Sequence, residues 1–259
     1  MTPRVDRTTI SLMFAGVMAI IVATTSLRSY VPVDRWSSAA IAICTWLFVL
    51  VTLARLRRKH SSLGEITPAP LGAATWLTIA RGFLIALVAG YAVGAVRSER
   101  ALWVPGLLYA LAALADRGDG ALARRRAQVT ALGAELDVAT DVVGLFVAPL
   151  VGVRWGRLPP WYLVLACAYP AFRLALRIRH EMGWPIFPGR LEPDPRARFF
   201  AGVQMAVVAA ALFPVLPRAL TWGAATLAML PTLALFAGEW RIATTSTADG
   251  GARAERLDA

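Results

Sequence analysis

Four aspartates and one arginine stand at regular spacings in a strongly apolar chain. They lie in the stretch Asp116-Arg-Gly-Asp119-Gly120-Ala-Leu-Ala123-Arg124 and in Gly133-Ala-Glu-Leu-Asp137-Val-Ala-Thr-Asp141. Carboxylates near hydrocarbon are costly, so a patterned group of them needs a reason. Read as helix, Asp116 and Asp119 share a face, and Gly120 and Ala123 leave room beside it. Arg124 follows one turn on. Gly133, Asp137 and Asp141 recur every fourth residue on the next helix. If the two helices are antiparallel neighbours, the aspartate pairs converge. Four converging carboxylates do not all stay ionised without compensation. One or two divalent cations supply it, and an all-oxygen ligand set selects Mg²⁺, Mn²⁺ or Ca²⁺ over zinc. Metal carboxylates beside small residues and an arginine suit a phosphate-bearing ligand, and paired metals suit phosphoryl displacement. The plainer reading pairs the aspartates with Arg117 and Arg124–Arg126 at a solvated helix end. Four aspartates with small residues between them favour the ligand site.

The elements that must carry these residues are apolar. Of 259 residues, 58% are hydrophobic, against about 45–50% in a soluble domain. Mean hydropathy is +0.59. Eight apolar runs follow one another: 8–26, 39–53, 77–96, 101–115, 138–153, 161–176, 199–216 and 219–238. Several are shorter than the ~20 residues that a crossing helix needs. Their helices are expected to continue into the polar flanks, above all at the aspartates. Arg4 and Arg7 precede the first run as in a signal peptide, but no clear small-x-small cleavage site follows.

Net charge is +11, and Lys59 is the only lysine among 27 basic residues. In a soluble protein this balance suggests nucleic acid. Here the arginines sort by side instead. With the N-terminus inside, 20 basic residues fall in inside segments and seven outside. That places both termini and the aspartates at the cytoplasmic face. The expected fold is all-α: a polytopic integral membrane bundle of eight spans, a six-helix catalytic unit plus an N-terminal two-helix hairpin. Residues 56–73 read as a Pro/Gly/Ser-rich linker, and about 179–198 as a loop or short interfacial helix. The tail from 241 reads as disordered. Cys44 and Cys167 look like small buried hydrophobes with no disulfide. The tryptophans near span ends fit an interfacial belt.

DxxDGxxAR, then eight residues, then GxxxDxxxD is the signature of the CDP-alcohol phosphatidyltransferases. The chain resembles it at Asp116, Asp119, Gly120, Ala123, Arg124, Gly133, Asp137 and Asp141. The resemblance covers the six-span unit and implies domains at 1–73, 74–240 and 241–259. It implies transfer of a phosphatidyl or related group from a CDP-linked donor to an alcohol, with CMP released. On that analogy Asp116, Asp119, Asp137 and Asp141 hold two divalent cations, Mg²⁺ or Mn²⁺. Asp141 is also the general base on the acceptor hydroxyl, and Gly120, Ala123, Arg124 and Gly133 lie against the nucleotide. Thr75-Trp-Leu77-Thr78-Ile-Ala-Arg81 is similar to the family's N-x-L-T-x-x-R segment, with Thr75 for the Asn. Thr78 and Arg81 share a face and are candidates for a donor phosphate. A snorkelling interfacial arginine is the plainer alternative.

The acceptor is read from arginines: Arg173 and Arg177 near the end of the sixth run, Arg196 and Arg198 before the seventh. They favour an anionic alcohol of the inositol-phosphate or glycerol-phosphate type. Their plainer role is anchoring at the inner face. The family's glycerol-phosphate members often carry Gly-Lys-x-Lys-Thr-x-x-Gln here. Counting back from Gln204, this chain has Ala201 for the Thr and Phe200 for the second Lys, which speaks against that acceptor. The expected protein is therefore a bacterial inner-membrane transferase of phospholipid synthesis. It uses CDP-diacylglycerol and a polar alcohol, forms a homodimer by family resemblance and binds no nucleic acid. An aminoalcohol phosphotransferase, using CDP-choline or CDP-ethanolamine with diacylglycerol, shares the signature. A cation transporter with an aspartate-lined path is the reading from another class.

Overall fold

The structure, a computed structural model, describes residues 7–27, 29–32, 34–62, 71–96, 98–126, 130–184 and 195–244, without the side chains of 62, 117–126, 169–170, 195, 198, 242 and 244. These residues form eight α-helices and no strand. They are α1 (Arg7–Ser26), α2 (Arg35–Ser62), α3 (Ala73–Ala89), α4 (Glu99–Arg126), α5 (Ala131–Arg154), α6 (Leu163–Glu181), α7 (Pro195–Leu212) and α8 (Arg218–Thr244). Short 3-10 turns at Gly90–Ala92 and Pro160–Tyr162 follow α3 and precede α6.

Each apolar run became one helix, and the helices do extend into polar sequence. α4 continues through the first aspartate segment, and α5 begins before the second. The same extension corrects three expectations. Residues 56–62 belong to α2, so the linker starts later; Arg179 closes α6 while Arg196 opens α7; and residues 241–244 are still helix. Positions 63–70, 185–194 and 245–259, where linker, loop and tail were expected, lie outside the described residues. By length and apolarity, five helices are able to cross a membrane: α1, α2, α3 with its 3-10 turn, α5 and α8. The bent α6 segment makes six, and α7 offers only the shorter apolar stretch Phe199–Leu212. The eight expected spans are thus eight helices, of which α4 and α7 fall short by this criterion. In α4 the cause is visible: Glu99 and Arg100 open the helix and the Asp116–Arg126 segment ends it.

α3 is the central element. It packs against α2, α4 and α5, and more than half of its spanning stretch is buried. Close approach needs small residues. A Cβ on Gly82 would stand 2.9 Å from Val49 Cγ1 of α2, and one on Gly144 of α5 would stand 2.9 Å from Ile85 Cδ1 of α3. One core cluster joins α3, α4, α5, α7 and α8 around Val88, Tyr109, Val151 and Val208. A second joins α1, α2, α3 and α5 around Ile20, Trp46, Leu53 and Leu136. The α1–α2 hairpin therefore packs on the same helix around which α4 and α5 are built. α6 and α7 close the other side, against α5 and α8.

At the end of the bundle away from the aspartates, Arg157 caps α7. Its guanidinium donates to the carbonyls of Ala211 (3.1 Å), Phe213 and Leu216 (2.9 Å). Carbonyls at a helix C-terminus lack intrahelical donors, and a cation suits that end of the dipole. Cys44 and Cys167 are free and exposed on the outside of the bundle, not buried. A small apolar residue is as acceptable against lipid as in a core, which composition alone does not separate. Trp36, Trp103, Trp161 and Trp184 are also exposed, as an interfacial belt requires.

Candidate active site

The start of α5 is set by its cap. Thr130 is extended, and its hydroxyl accepts from the Gly133 amide at 3.1 Å, satisfying one of the free N–H groups of the first turn. Gly133 fits tightly there. A Cβ would meet Thr130 Oγ1 at 3.0 Å and Thr75 Oγ1 of α3 at 3.2 Å. Its observed neighbours are thus two threonines. Thr75 is buried, and so is Thr78, whose hydroxyl donates to the Ala74 carbonyl of its own helix at 3.1 Å.

From this start, Asp137 and Asp141 follow one and two turns along α5. Asp116 approaches from α4 and Arg81 from α3. The structure brings Asp116, Asp137 and Asp141 together, with one carboxylate oxygen of each within 4.8 Å of the others. Arg81 lies between them. Its Nη1 pairs with Asp116 Oδ1. Its Nη2 lies 2.6 Å from Asp137 Oδ1 and 3.0 Å from Asp141 Oδ1 and also donates to the Asp137 carbonyl at 3.2 Å. The arginine side chain is 2% exposed, whereas the carboxylates are 27–38% exposed. A buried cation is thus held by partly hydrated anions, the arrangement in which a buried charge is tolerated. The expectation for Arg81 was a donor phosphate; the contacts it makes are to the aspartates.

One guanidinium against three ionised carboxylates leaves two net negative charges among the described side chains. A divalent cation carries the matching charge, and the oxygen-only donor set is of the kind Mg²⁺ and Mn²⁺ take. The group fits. Asp119, Gly120, Ala123 and Arg124 lie on the last turns of α4, and their side chains fall outside the description.

Two residues that sequence reasoning did not assign complete the surroundings. Tyr109 of α4 is buried and lines a narrow cleft with Arg81, Asp116, Asp141 and Gly144. Its neighbours in sequence are apolar, so only the fold reveals it. The other is Tyr162, whose hydroxyl donates to Gln204 Oε1; the Gln204 amide donates to the Ala228 carbonyl and to Thr232 Oγ1 (3.1 Å). This buried network ties the 3-10 turn before α6 to α7 and α8. It borders a cavity of about 290 Å³ that runs along α5 from Val138 and Asp141 past Leu145 to Pro149. The cavity wall is chiefly apolar. Of the candidate acceptor arginines whose side chains are described, none lines this cavity. Arg173 and Arg177 are exposed on α6, Arg177 pairing with Glu181 at 3.2 Å, and Arg196 is exposed on α7. The side chain of Arg198 lies outside the description. At the opposite rim Lys59 of α2 pairs with Glu135 of α5 at 2.8 Å. Both groups are largely exposed, so the pair adds little stability.

The family model for CDP-alcohol phosphatidyltransferases matches residues 71–234. The chain belongs to this family. No curated protein and no solved structure gives a significant match. The family match begins just before α3 and ends within α8, so it contains every residue of the carboxylate cluster and leaves out α1 and α2. As a CDP-alcohol phosphatidyltransferase, the protein is a transferase of phospholipid biosynthesis, taking a CDP-linked donor and an alcohol. Divalent metal use is typical of the family, and its cluster of aspartates is present here. A cation channel would place acidic groups through the membrane depth; here three of them surround one arginine at one end of the bundle.

Proposed function

We propose that the protein transfers the phosphatidyl group of CDP-diacylglycerol to the hydroxyl of a polar, anionic alcohol and releases CMP. The observation that carries this reading is the continuity of the carboxylate cluster with the apolar cavity at Asp141. A lipid-linked substrate needs a polar end at the carboxylates and a hydrocarbon-compatible wall beside them.

Asp116, Asp137 and Asp141, with Asp119, would hold the divalent cations, which would neutralise the diphosphate and improve CMP as a leaving group. Arg81 holds the three carboxylates in one place and balances part of their charge. Among the described carboxylates, Asp141 alone belongs both to the cluster and to the cavity wall. It is therefore placed to accept the proton of the acceptor hydroxyl as the new P–O bond forms. Gly120, Ala123 and Arg124 on α4, with Thr78 and Gly133, are assigned to the nucleotide side. Arg173, Arg177, Arg196 and Arg198 are assigned to the acceptor's anionic group, with the reaction at the cytoplasmic face of a bacterial membrane. In this division residues 74–240 form the catalytic domain, residues 1–73 precede it, and a homodimer is the expected assembly.

Donor identity separates this reading from the aminoalcohol phosphotransferase. Purified protein in mixed micelles is given CDP-diacylglycerol with a panel of alcohols, or CDP-choline and CDP-ethanolamine with diacylglycerol. Product lipids are read by mass spectrometry. The proposal expects a new anionic lipid from the first set alone; a phosphatidylcholine or phosphatidylethanolamine product from the second overturns it.

A further inference from the structure

The carboxylate site makes no use of a second, larger cavity at the far end of α1–α4. It encloses about 460 Å³, within the range of pockets that hold small ligands. Its wall is almost entirely apolar. Ile20 and Ala23 of α1, with Leu27 just after it, face Leu87 of α3 with Val104 and Leu108 of α4. One side thus comes from the hairpin and the other from the family unit, and the cavity exists only because the hairpin is there. Val104 and Leu108 precede Asp116 by twelve and eight residues on α4, which sets them about 18 and 12 Å from it along the helix.

The walls are fixed by specific contacts. The Tyr91 hydroxyl donates to the Tyr30 carbonyl, pinning the α1–α2 turn to the 3-10 turn after α3. Gly90 lets that turn approach α2, since a Cβ there would stand 3.0 Å from the Ser38 carbonyl. Gly94 has φ +75 and lies against Pro32. The mouth is at Leu27 and Tyr30, which are 51% and 37% exposed.

Two further features define the occupant. Ser38 lines the cavity and is 3% exposed, and its hydroxyl has no hydrogen-bond partner among the described residues. A buried hydroxyl without a partner is rare unless something else meets it. Arginines also stand at this end of the helices. Arg35 is one turn before Ser38 on α2, and Arg100 is one turn before Val104 on α4. Along α2, Ala42 of the apolar wall, the unpartnered Ser38 hydroxyl and Arg35 follow one another in the order of acyl chain, ester and phosphate.

We propose that this cavity binds one acyl chain of an anionic glycerophospholipid from the leaflet opposite the carboxylates. The Ser38 hydroxyl donates to the ester carbonyl, and Arg35 and Arg100 face the phosphate. The lipid is a fixed component that joins the hairpin to the family unit and is not turned over. The proposal is independent of which donor and acceptor the enzyme uses.

The test uses the full-length protein in vesicles containing phosphatidylglycerol with a diazirine midway along one acyl chain. After irradiation, adducts are mapped by mass spectrometry. They are expected on cavity residues such as Ala23, Leu27 and Leu108. Leu27→Trp at the exposed mouth, and Ala42→Phe deeper in, should each cut these adducts about tenfold. Adducts on the outward Phe14 and Met18 should stay unchanged, and unfolding temperature shows that each variant is folded. Asp141→Asn should leave the cavity adducts intact. Unlabelled phosphatidylglycerol should compete better than phosphatidylcholine. Adducts confined to outward residues, cavity adducts that both variants leave untouched, loss of them in Asp141→Asn, or equal competition by the two lipids would each overturn the proposal.

Discussion

Removing the Arg81 guanidinium leaves Asp116, Asp137 and Asp141 facing one another with no cation between them. Breaking a buried ion pair by deleting one partner costs about 3–5 kcal/mol, and the partial hydration of these carboxylates favours the lower end. Arg81→Ala is therefore expected to lower the unfolding temperature in detergent with a chelator present, and Mg²⁺ should restore more of it than in the wild type. Binding to the folded state alone stabilises by mass action, and the variant has the greater charge left to neutralise. An equal Mg²⁺ effect in both proteins would contradict this. Arg81→Lys keeps the charge but loses the planar fork that reaches two carboxylates at once, so it should fall between the two. Very little of this role was legible in the sequence. The spacing of Asp116, Asp137 and Asp141 announced a metal-compatible cluster because helical periodicity is local. The partner of that cluster sits 35, 56 and 60 positions earlier, in a stretch that reads as an ordinary polar helix start. Gln204 was visible only as a polar residue near the acceptor arginines. Its bonds to Tyr162 and Thr232 depend on three elements meeting.

At the scale of elements, the site is only as precise as the spacing of α3 from α2 and α5. Gly82 sits next to Arg81 and packs against Val49, whose branched side chain has little freedom to move aside. Gly82→Leu should overpack this contact, at a cost of about 1–3 kcal/mol. Thermal unfolding checks the loss. CMP release should fall as well, because the same shift moves Arg81 relative to α5; a variant that is destabilised yet fully active would show that α3 spacing does not set the site. Helix number and order were legible, since each apolar run is long enough to report its own helix. Helix ends were not. α2 runs through Arg57, Arg58 and Lys59 to Ser62, in sequence that composition marks as linker. Charged residues with good helix propensity continue a helix beyond the membrane boundary without changing its apolar run.

For the whole molecule, we propose from the asymmetry of basic residues that both ends of the given sequence, the α2–α3 connection and the carboxylates face the cytoplasm. Ser61 at the end of α2 is exposed and offers a probe. In a background with Cys44→Ala and Cys167→Ala, Ser61→Cys should react with a membrane-impermeant maleimide in inverted vesicles but not in spheroplasts. Labelling in spheroplasts would reverse the orientation. The charge pattern was legible because orientation depends on where basic residues lie along the chain and not on how helices pack. The packing of the hairpin on α3 was not, since residues 8–26 of α1 and 36–54 of α2 carry no charged residue to mark a partner face.

In the proposed reaction Asp141 acts as base within a metal-holding cluster. The direct measurement is Mg²⁺-dependent CMP release from CDP-diacylglycerol with an anionic alcohol, in wild type and in Asp141→Asn of the same unfolding temperature. General-base catalysis contributes about 10²–10⁴-fold. Asp141→Asn should lose at least the lower figure in kcat, and a chelator should abolish the wild-type rate. CMP release that survives both the substitution and the chelator would contradict the account.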